Sequence, residues 1–483
     1  MRHHTLDRSE KIMRSAGESA KPRVVASISS AIMLAVALCM LPGVAQAEGL
    51  MQAYRKALTQ DMTLVAALEA RNAAIEARPQ AVSSFLPQLD ANAGYAREHY
   101  HYESDAAGVP DDPSDPEPDA ADDVRLSGSR REWSLSLTQT LWSFEAFHQL
   151  QSASLDVASA EASYRAAQQD LMLRVAQAYF EVLAASDALF ANKAERESYA
   201  TLVDQAQKRL STGLGARIGV DEARAFYELT AQSVIDSETA LMDAQRALAQ
   251  ITGTLDLAVT PLAEEIPLRR PDPESADDWA QAASRDNYSV LAASLDTDSA
   301  ERTVAATRAQ HLPSLQLQGT LGHTALSPQL GSDYRADSLG VYVDWPIFSG
   351  GLLRSRVREA SALQRGAEAG LESARRDVDR QARLAYRGVI AGIHKLQSNQ
   401  RAVNANRIAL NASRSGVEVG TRTEFDLLNA QNNYYAALRS YYQSRYDYLT
   451  NLLRLKALAG RLVEADLVAI DALLDADAKR SQP

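Results

Sequence analysis

Leu150, Ala153, Val157, Ala160, Tyr164, Ala167 and Leu171 stand three and four residues apart in strict alternation. After Leu171 the step slips to four, and the alternation resumes through Val175, Ala178, Val182, Ala185 and Leu189. Such a run is the seam of a coiled coil, and the slip is a stutter that locally unwinds the supercoil. The second half repeats it: Val357, Ala360, Gln364, Ala367, Leu371, Ala374 and Val378, then Ala382, Ala385, Val389, Gly392 and Leu396. Small Ala at alternate seam positions lets helices approach closely. The spacing predicts two helices over about 146–212 and 351–416. At ~1.5 Å rise per residue each is about 100 Å long, whereas helices of globular domains average about 11–12 residues. The fold must be elongated.

Working outward from the seams, the rest of the chain also occurs twice. Phe85-Leu86-Pro87-Gln88-Leu89 returns as His311-Leu312-Pro313-Ser314-Leu315, and Thr140-Leu141-Trp142 as Pro346-Ile347-Phe348. Thr212-Gly213-Leu214 matches Val419-Gly420-Thr421, and Leu248–Gly253 matches Leu455–Gly460. Self-similarity of this kind marks a duplicated architecture. Each half reads helix, strand, loop, strand, very long helix, Gly-marked break, helix. The divisions are 48–253 for the first repeat, 254–274 for a Pro-rich linker, 275–460 for the second repeat and 461–483 for a tail.

Trp133–Leu141 and Leu315–Leu321 alternate apolar with small polar residues, while Gln88–Tyr95 and Leu339–Trp345 keep the period more loosely. Segments of about ten residues with one apolar and one hydrophilic face are what a membrane barrel requires. Trp133, Trp142, Trp345, Tyr95 and Tyr342 lie near strand ends, where aromatic girdles sit. A half-buried sheet in a soluble domain has the same alternation, but nothing beyond long coiled coil is left to cover such a sheet. Four strands cannot close a barrel whose smallest forms have about eight. The chain is therefore expected to oligomerise, and three copies give twelve strands.

The N-terminus reads as an export signal over 1–47. Arg14, Lys21 and Arg23 precede an uncharged run from Val24 to Leu41, Pro42-Gly43 breaks it, and Ala45-Gln46-Ala47 offers small residues for cleavage. No helical span follows: the longest charge-free stretch, Ala309–Ser332, is interrupted by Pro313, Pro328 and three Gly. Cys39 is the single cysteine of the 483 residues, which excludes a disulfide framework and CxxC-type sites. A formal charge of −12 with no Lys/Arg-rich block argues against nucleic acid as a partner. The loop of the first strand pair, about 101–130, carries Asp111-Asp112-Pro113-Ser114-Asp115-Pro116-Glu117-Pro118-Asp119. It lacks the Gly turn and bidentate Glu of an EF-hand and reads as a solvated external loop. The chain offers no phosphate loop, metal-spaced His cluster or nucleophile motif, so no enzyme activity, metal or cofactor is expected.

In these residues the sequence resembles the TolC-type outer-membrane efflux proteins of Gram-negative bacteria. The resemblance covers essentially the whole mature chain: Glu48–Tyr54, Leu86–Leu89, Ala178–Leu183, Trp345–Gly351, Val419–Leu428 and Tyr446–Leu449. It implies an α+β homotrimer with four strands per chain. A twelve-stranded transmembrane β-barrel would continue into a long antiparallel α-helical coiled-coil barrel across the periplasm. Residues 254–275 and the segment after Gly460 would form a mixed belt partway down. It also implies a gate at the periplasmic tip, built from an Arg and, four residues later, an Asp-x-x-Asp. Arg422 and Asp426 fill the first two positions, and the second Asp is Asn429. The family's partner acid for the Arg falls on Gly219, with Asp221 two residues later as the candidate replacement. Three Asp426 carboxylates at a symmetry axis would favour cations and oppose one another's ionisation. Asp426 read on its own residues is equally a helix cap beside Thr423. Gly213-Leu214 and Gly420-Thr421 would be the tips that dock a periplasmic adaptor, although bare glycines between helices also serve as C-caps.

The function implied is a passive exit duct of a tripartite efflux pump or type I secretion system, set in outer-membrane lipid. An inner-membrane ABC or proton-driven exporter, reached through the adaptor, would supply the energy. The alternative reading of the same pattern is an exported coiled-coil scaffold of the envelope.

Overall fold

The computed structural model describes residues 48–103, 123–255, 257–328 and 330–475. The export signal, the centre of the acidic loop and the end of the tail lie outside the described residues. Three helices open the chain: α1 (Leu50–Gln60), α2 (Met62–Ile75) and α3 (Ala77–Ser83). A hairpin of β1 (Gln88–Glu103) and β2 (Asp123–Trp142) follows. It leads into the 68-residue α4 (Phe144–Ser211) and then α5 (Arg217–Thr252). The second half runs through α6 (Ala276–Asp286), α7 (Tyr288–Ala309), β3 (Ser314–Leu326) and β4 (Tyr334–Asp344). The 67-residue α8 (Leu352–Glu418), α9 (Glu424–Leu458) and α10 (Glu464–Asp471) complete it. The ends of both long helices fall within two residues of those the seams predict. Ser143 starts α4 by accepting the Ala146 N–H at 3.2 Å, and Gly351, at φ 86°, turns the chain into α8.

The strands form one antiparallel sheet in the order β1-β2-β3-β4. The register stacks Leu89, Leu137, Gly319 and Leu339 in one row, and Ala91, Leu135, Leu321 and Asp337 in the next on the same face. Leu317 with Val341, and Leu315 with Val343, continue that face downwards. The opposite face carries Asp90, Ser136, Thr320 and Ser338, then Thr138 with Gln318, then Thr140 with Gln316. Alternation thus sorts the sheet into an apolar and a polar side. A register shift between Thr140 and Trp142 places Trp142 opposite Leu315, returning the indole to the apolar side. From Leu315 to the row of Trp133 and His323 the apolar side measures about 26 Å along the strand at ~3.3 Å per residue. Tyr342, expected in an aromatic girdle, instead pairs with Gln316 on the polar side. All four strands are longer than their alternating cores. Beyond the apolar rows both faces carry polar residues, so the period-2 signal fades while the ladder continues.

Each long helix changes partner partway along. The upper part of α4 packs against α2 and α7, and its lower part against α5 and α9. Ser152 Oγ meets Ser299 Oγ of α7 at 2.8 Å, whereas Asn192 Nδ2 donates to Ser233 O of α5 at 3.2 Å. The upper part of α8 packs against α6 and α7, and its lower part against α9. The main core lies at the exchange point, where Leu171, Val175, Tyr179, Val182 and Leu183 meet Leu50, Tyr54, Leu449 and Leu453. The Pro-rich linker and the C-terminal segment meet there as well. The Tyr179 hydroxyl donates to the Glu48 carbonyl and accepts the Thr260 N–H, both at 2.9 Å. Tyr448 does the same for Arg269, accepting its N–H at 2.9 Å and donating to its carbonyl at 3.0 Å. Leu262 bridges to Leu474, and Arg461 lies over the Trp279 ring at 5.5 Å. Two tyrosines thereby supply the partners that an irregular segment's backbone needs when it is buried.

Candidate functional site: the helical tip

The turns from α4 to α5 and from α8 to α9 share one backbone solution. Gly213 and Gly420 both have φ 77°. The Gly213 N–H donates to Leu210 O and the Leu214 N–H to Arg209 O. The Gly420 N–H donates to Val417 O and the Thr421 N–H to Gly416 O. This pair of bonds is the Schellman cap, and its left-handed residue favours glycine. A Cβ on either glycine would meet nothing within 4 Å, so the backbone angle alone constrains them. Leu214 and Val419 beside them are 83% and 74% exposed.

The helices leaving the turns start differently. Ala216 gives α5 no side-chain cap. Thr423 gives α9 a capping box: its Oγ1 accepts the Asp426 N–H at 3.1 Å, and Asp426 Oδ2 accepts the Thr423 N–H at 2.9 Å. Asp426 Oδ2 also accepts the Thr423 hydroxyl at 2.7 Å. These two bonds to the carboxylate hold Asp426 below the ordinary carboxylate range, with a smaller contribution from the Arg422 charge.

Arg422 folds back along the last turn of α8. Its Nη1 donates to the buried Ser413 Oγ at 2.5 Å, and its Cγ lies 2.9 Å from where a Gly416 side chain would begin. Asp221 pairs with Arg217 of its own helix at 3.8 Å, on an exposed surface. Among the described residues of a single chain, Arg422 and Asp221 do not meet. Asn429 is half-buried on the second turn of α9.

The contact that does join the hairpins comes from residues the sequence did not single out. Arg209 Nη1 of α4 donates to Glu424 Oε1 of α9 at 3.3 Å. Glu424 reaches that place because Gly219 leaves room, since a Cβ there would lie 2.1 Å from Glu424 Oε2. Glu424 thus occupies the space beside Gly219 from across the tip. Behind this pair, the Tyr199 hydroxyl donates to Leu428 O at 3.3 Å, and Phe226 meets Phe425 edge-on at 6.4 Å. Thr423 and Asp426 were readable as a cap from their spacing. Glu424 and Arg209 had no such signal, because their meeting depends on how two hairpins pack.

The sequence profile described as outer membrane efflux protein matches residues 53–254 and 279–461. The chain belongs to this family. Outer membrane protein TolC of Vibrio cholerae is 30% identical over 446 residues, covering 91% of this chain and 97% of that protein. The alkaline protease secretion protein AprF of Pseudomonas aeruginosa is 28% identical over 439 residues, covering 90% and 89%. The fold matches the Campylobacter jejuni CmeC outer membrane channel with a TM-score of 0.72 at 18% identity, over 89% of this chain and 90% of that one. As an outer membrane efflux protein, the chain is an outer-membrane exit duct for efflux and type I secretion, and the scaffold alternative is set aside. No helix of the described residues is long and apolar enough to cross a membrane.

Proposed function

We propose that three copies of the chain close a twelve-stranded barrel, whose polar face lines the exit and whose apolar face meets lipid. The observation that carries this is the four-stranded sheet: between the rows of Leu315 and Leu321 one face is mainly apolar and the other polar, and β1 and β4 are left as its two edges. An open edge in hydrocarbon leaves backbone groups without partners, and closure removes it. The helices below continue the duct, and the two tip turns converge as its gate. Asp426 forms the acidic ring there, Asn429 adds dipoles without charge, and Arg422 supports the last turn of α8. The Arg209–Glu424 pair ties the hairpins together in place of an Arg422–Asp221 contact. Gly213-Leu214 and Gly420-Thr421 form the adaptor-docking surface, and an inner-membrane exporter supplies the energy. Multi-angle light scattering of the detergent-purified protein is expected to give three chains per particle. A monomer whose sheet remains folded would refute the architecture.

A further inference from the structure

We propose that the junction between β4 and α8 binds an anionic phospholipid of the periplasmic leaflet. Trp345, Ile347 and Phe348 would enter the interfacial region, and Arg354 and Arg358 would hold the headgroup phosphate. This deepens the barrel reading above and rests on it. Ile347 and Phe348 are 85% and 88% exposed, on a loop that Gly350 and Gly351 turn away from the body. Trp345 follows directly on β4, whose Val341 and Val343 lie on the apolar side, and its Nε1 donates to His311 O at 3.2 Å. Trp142 lies in the row of Leu315 and Val343, so the loop continues from the end of the apolar face. Apolar side chains at that level have hydrocarbon to enter, and indoles settle at the headgroups.

The charges specify which lipid. Arg354 and Arg358 are one turn apart on the first turns of α8, and both are exposed. Neither has a hydrogen bond or ion pair among the described residues. Lower on the same helix, Arg376 pairs with Glu372 at 2.7 Å, Arg380 with Asp377 at 2.5 Å and Arg383 with Asp379 at 2.9 Å. Those three arginines are held by acids of the helix, whereas Arg354, Arg358 and the intervening Arg356 have no acid partner among the described residues and follow directly on the exposed Ile347 and Phe348. Glu359, the acid nearest in sequence, projects about 100° from Arg358 at 3.6 residues per turn. Arg358 lies only about 9 Å below the start of α8 at ~1.5 Å per residue, within reach of the headgroup layer. Two guanidinium forks on successive turns match a phosphodiester, which accepts bidentate bonds that a zwitterionic headgroup partly satisfies itself. The corresponding start of α4 has no such pair: its first charged residue is Glu145, which accepts from Gln149 and Gln310.

Native mass spectrometry of the delipidated protein in detergent tests this, with phosphatidylglycerol, phosphatidylethanolamine and glycerol phosphate as separate probes. Phosphatidylglycerol is expected to bind at least tenfold tighter than phosphatidylethanolamine, and glycerol phosphate not at all. R354Q/R358Q should remove that preference, on the order of fivefold per arginine, while R376Q/R380Q keeps it. R354K/R358K, which keeps charge without the fork, should retain part of it. Equal binding of the two lipids, or an unchanged preference in R354Q/R358Q, overturns the site, and tight binding of glycerol phosphate would assign it to a soluble anion instead. Subunit mass is read from the same spectra before lipid is added. Failure of the barrel reading, seen as free monomer, is thereby distinct from failure of the lipid site.

Discussion

The two turns at the tip have the same backbone and different chemistry. Gly213 and Gly420 share φ 77° and the same pair of cap hydrogen bonds. Past the glycine, the first turn contributes an uncapped Ala216 and a vacancy at Gly219, whereas the second contributes Thr423, Glu424 and Asp426. Duplicated backbone geometry is dictated by the need to reverse a helix in few residues, which leaves side chains free to diverge. The divergence is directional, for the second turn supplies the anions and the first supplies the space and the Arg209 cation that receive one of them.

The largest effect should come from the shared feature. Gly420→Ile and Gly213→Ile each force a β-branched residue into the left-handed region, at a cost of about 1–3 kcal/mol. Both should abolish transport without lowering outer-membrane levels, as read by drug susceptibility and immunoblotting. Normal transport in one variant alone would break the equivalence of the turns.

A smaller effect should come from the unshared contact. Gly219→Ala places a methyl 2.1 Å from Glu424 Oε2, so the carboxylate must leave Arg209. Glu424→Gln removes the charge instead. A half-exposed pair of this kind contributes about 0.5–1 kcal/mol, enough to raise open probability severalfold in planar bilayers. Asp221→Ala should leave gating unchanged, since that carboxylate faces Arg217 on its own helix. An equal effect of Asp221→Ala would return the latch to Arg422.

Acidification should change least. The folded-state pKa of Asp426 is lowered, so the capped, ionised form is favoured above the unfolded value and is lost only as pH falls through the folded one. Cation selectivity owed to Asp426 should therefore hold as the periplasmic side is taken from about pH 7 to about pH 5. Reversal potentials measure it, and a collapse within that window would mean that repulsion among three copies outweighs the Thr423 bonds.

The seam from Leu150 to Leu189, its counterpart from Val357 to Leu396, and the turn glycines were legible because helical period and left-handed backbone are local properties. The alternating strands were legible for the same reason, as far as one face is apolar and the other polar. Past His99 the alternation ceases, and the continuation of β1 to Glu103 left no pattern in the sequence. Tyr342 looked like a girdle residue because it is aromatic and near a strand end, but register decides its face, and register is not written in composition. At the tip, the role of Thr423 and Asp426 followed from three-residue spacing. The reach of Glu424 past Gly219 to Arg209 did not, because residues distant in sequence must first be packed together.

The change of partners along α4 and α8 has a mechanical consequence. Their upper companion α7 runs directly into β3, so that part is tied to the sheet. Their lower companions, α5 and α9, are joined to them at the tip by short glycine turns and meet the upper part through α1, through the Asn287 bond to Leu458 O at 3.0 Å, and through the linker and the C-terminal segment. The tyrosine-clasped waist between the two levels acts as a bearing. In the proposed trimer, helices beneath it would swing aside to widen the inner mouth while the seal against the lipid stays under no torque.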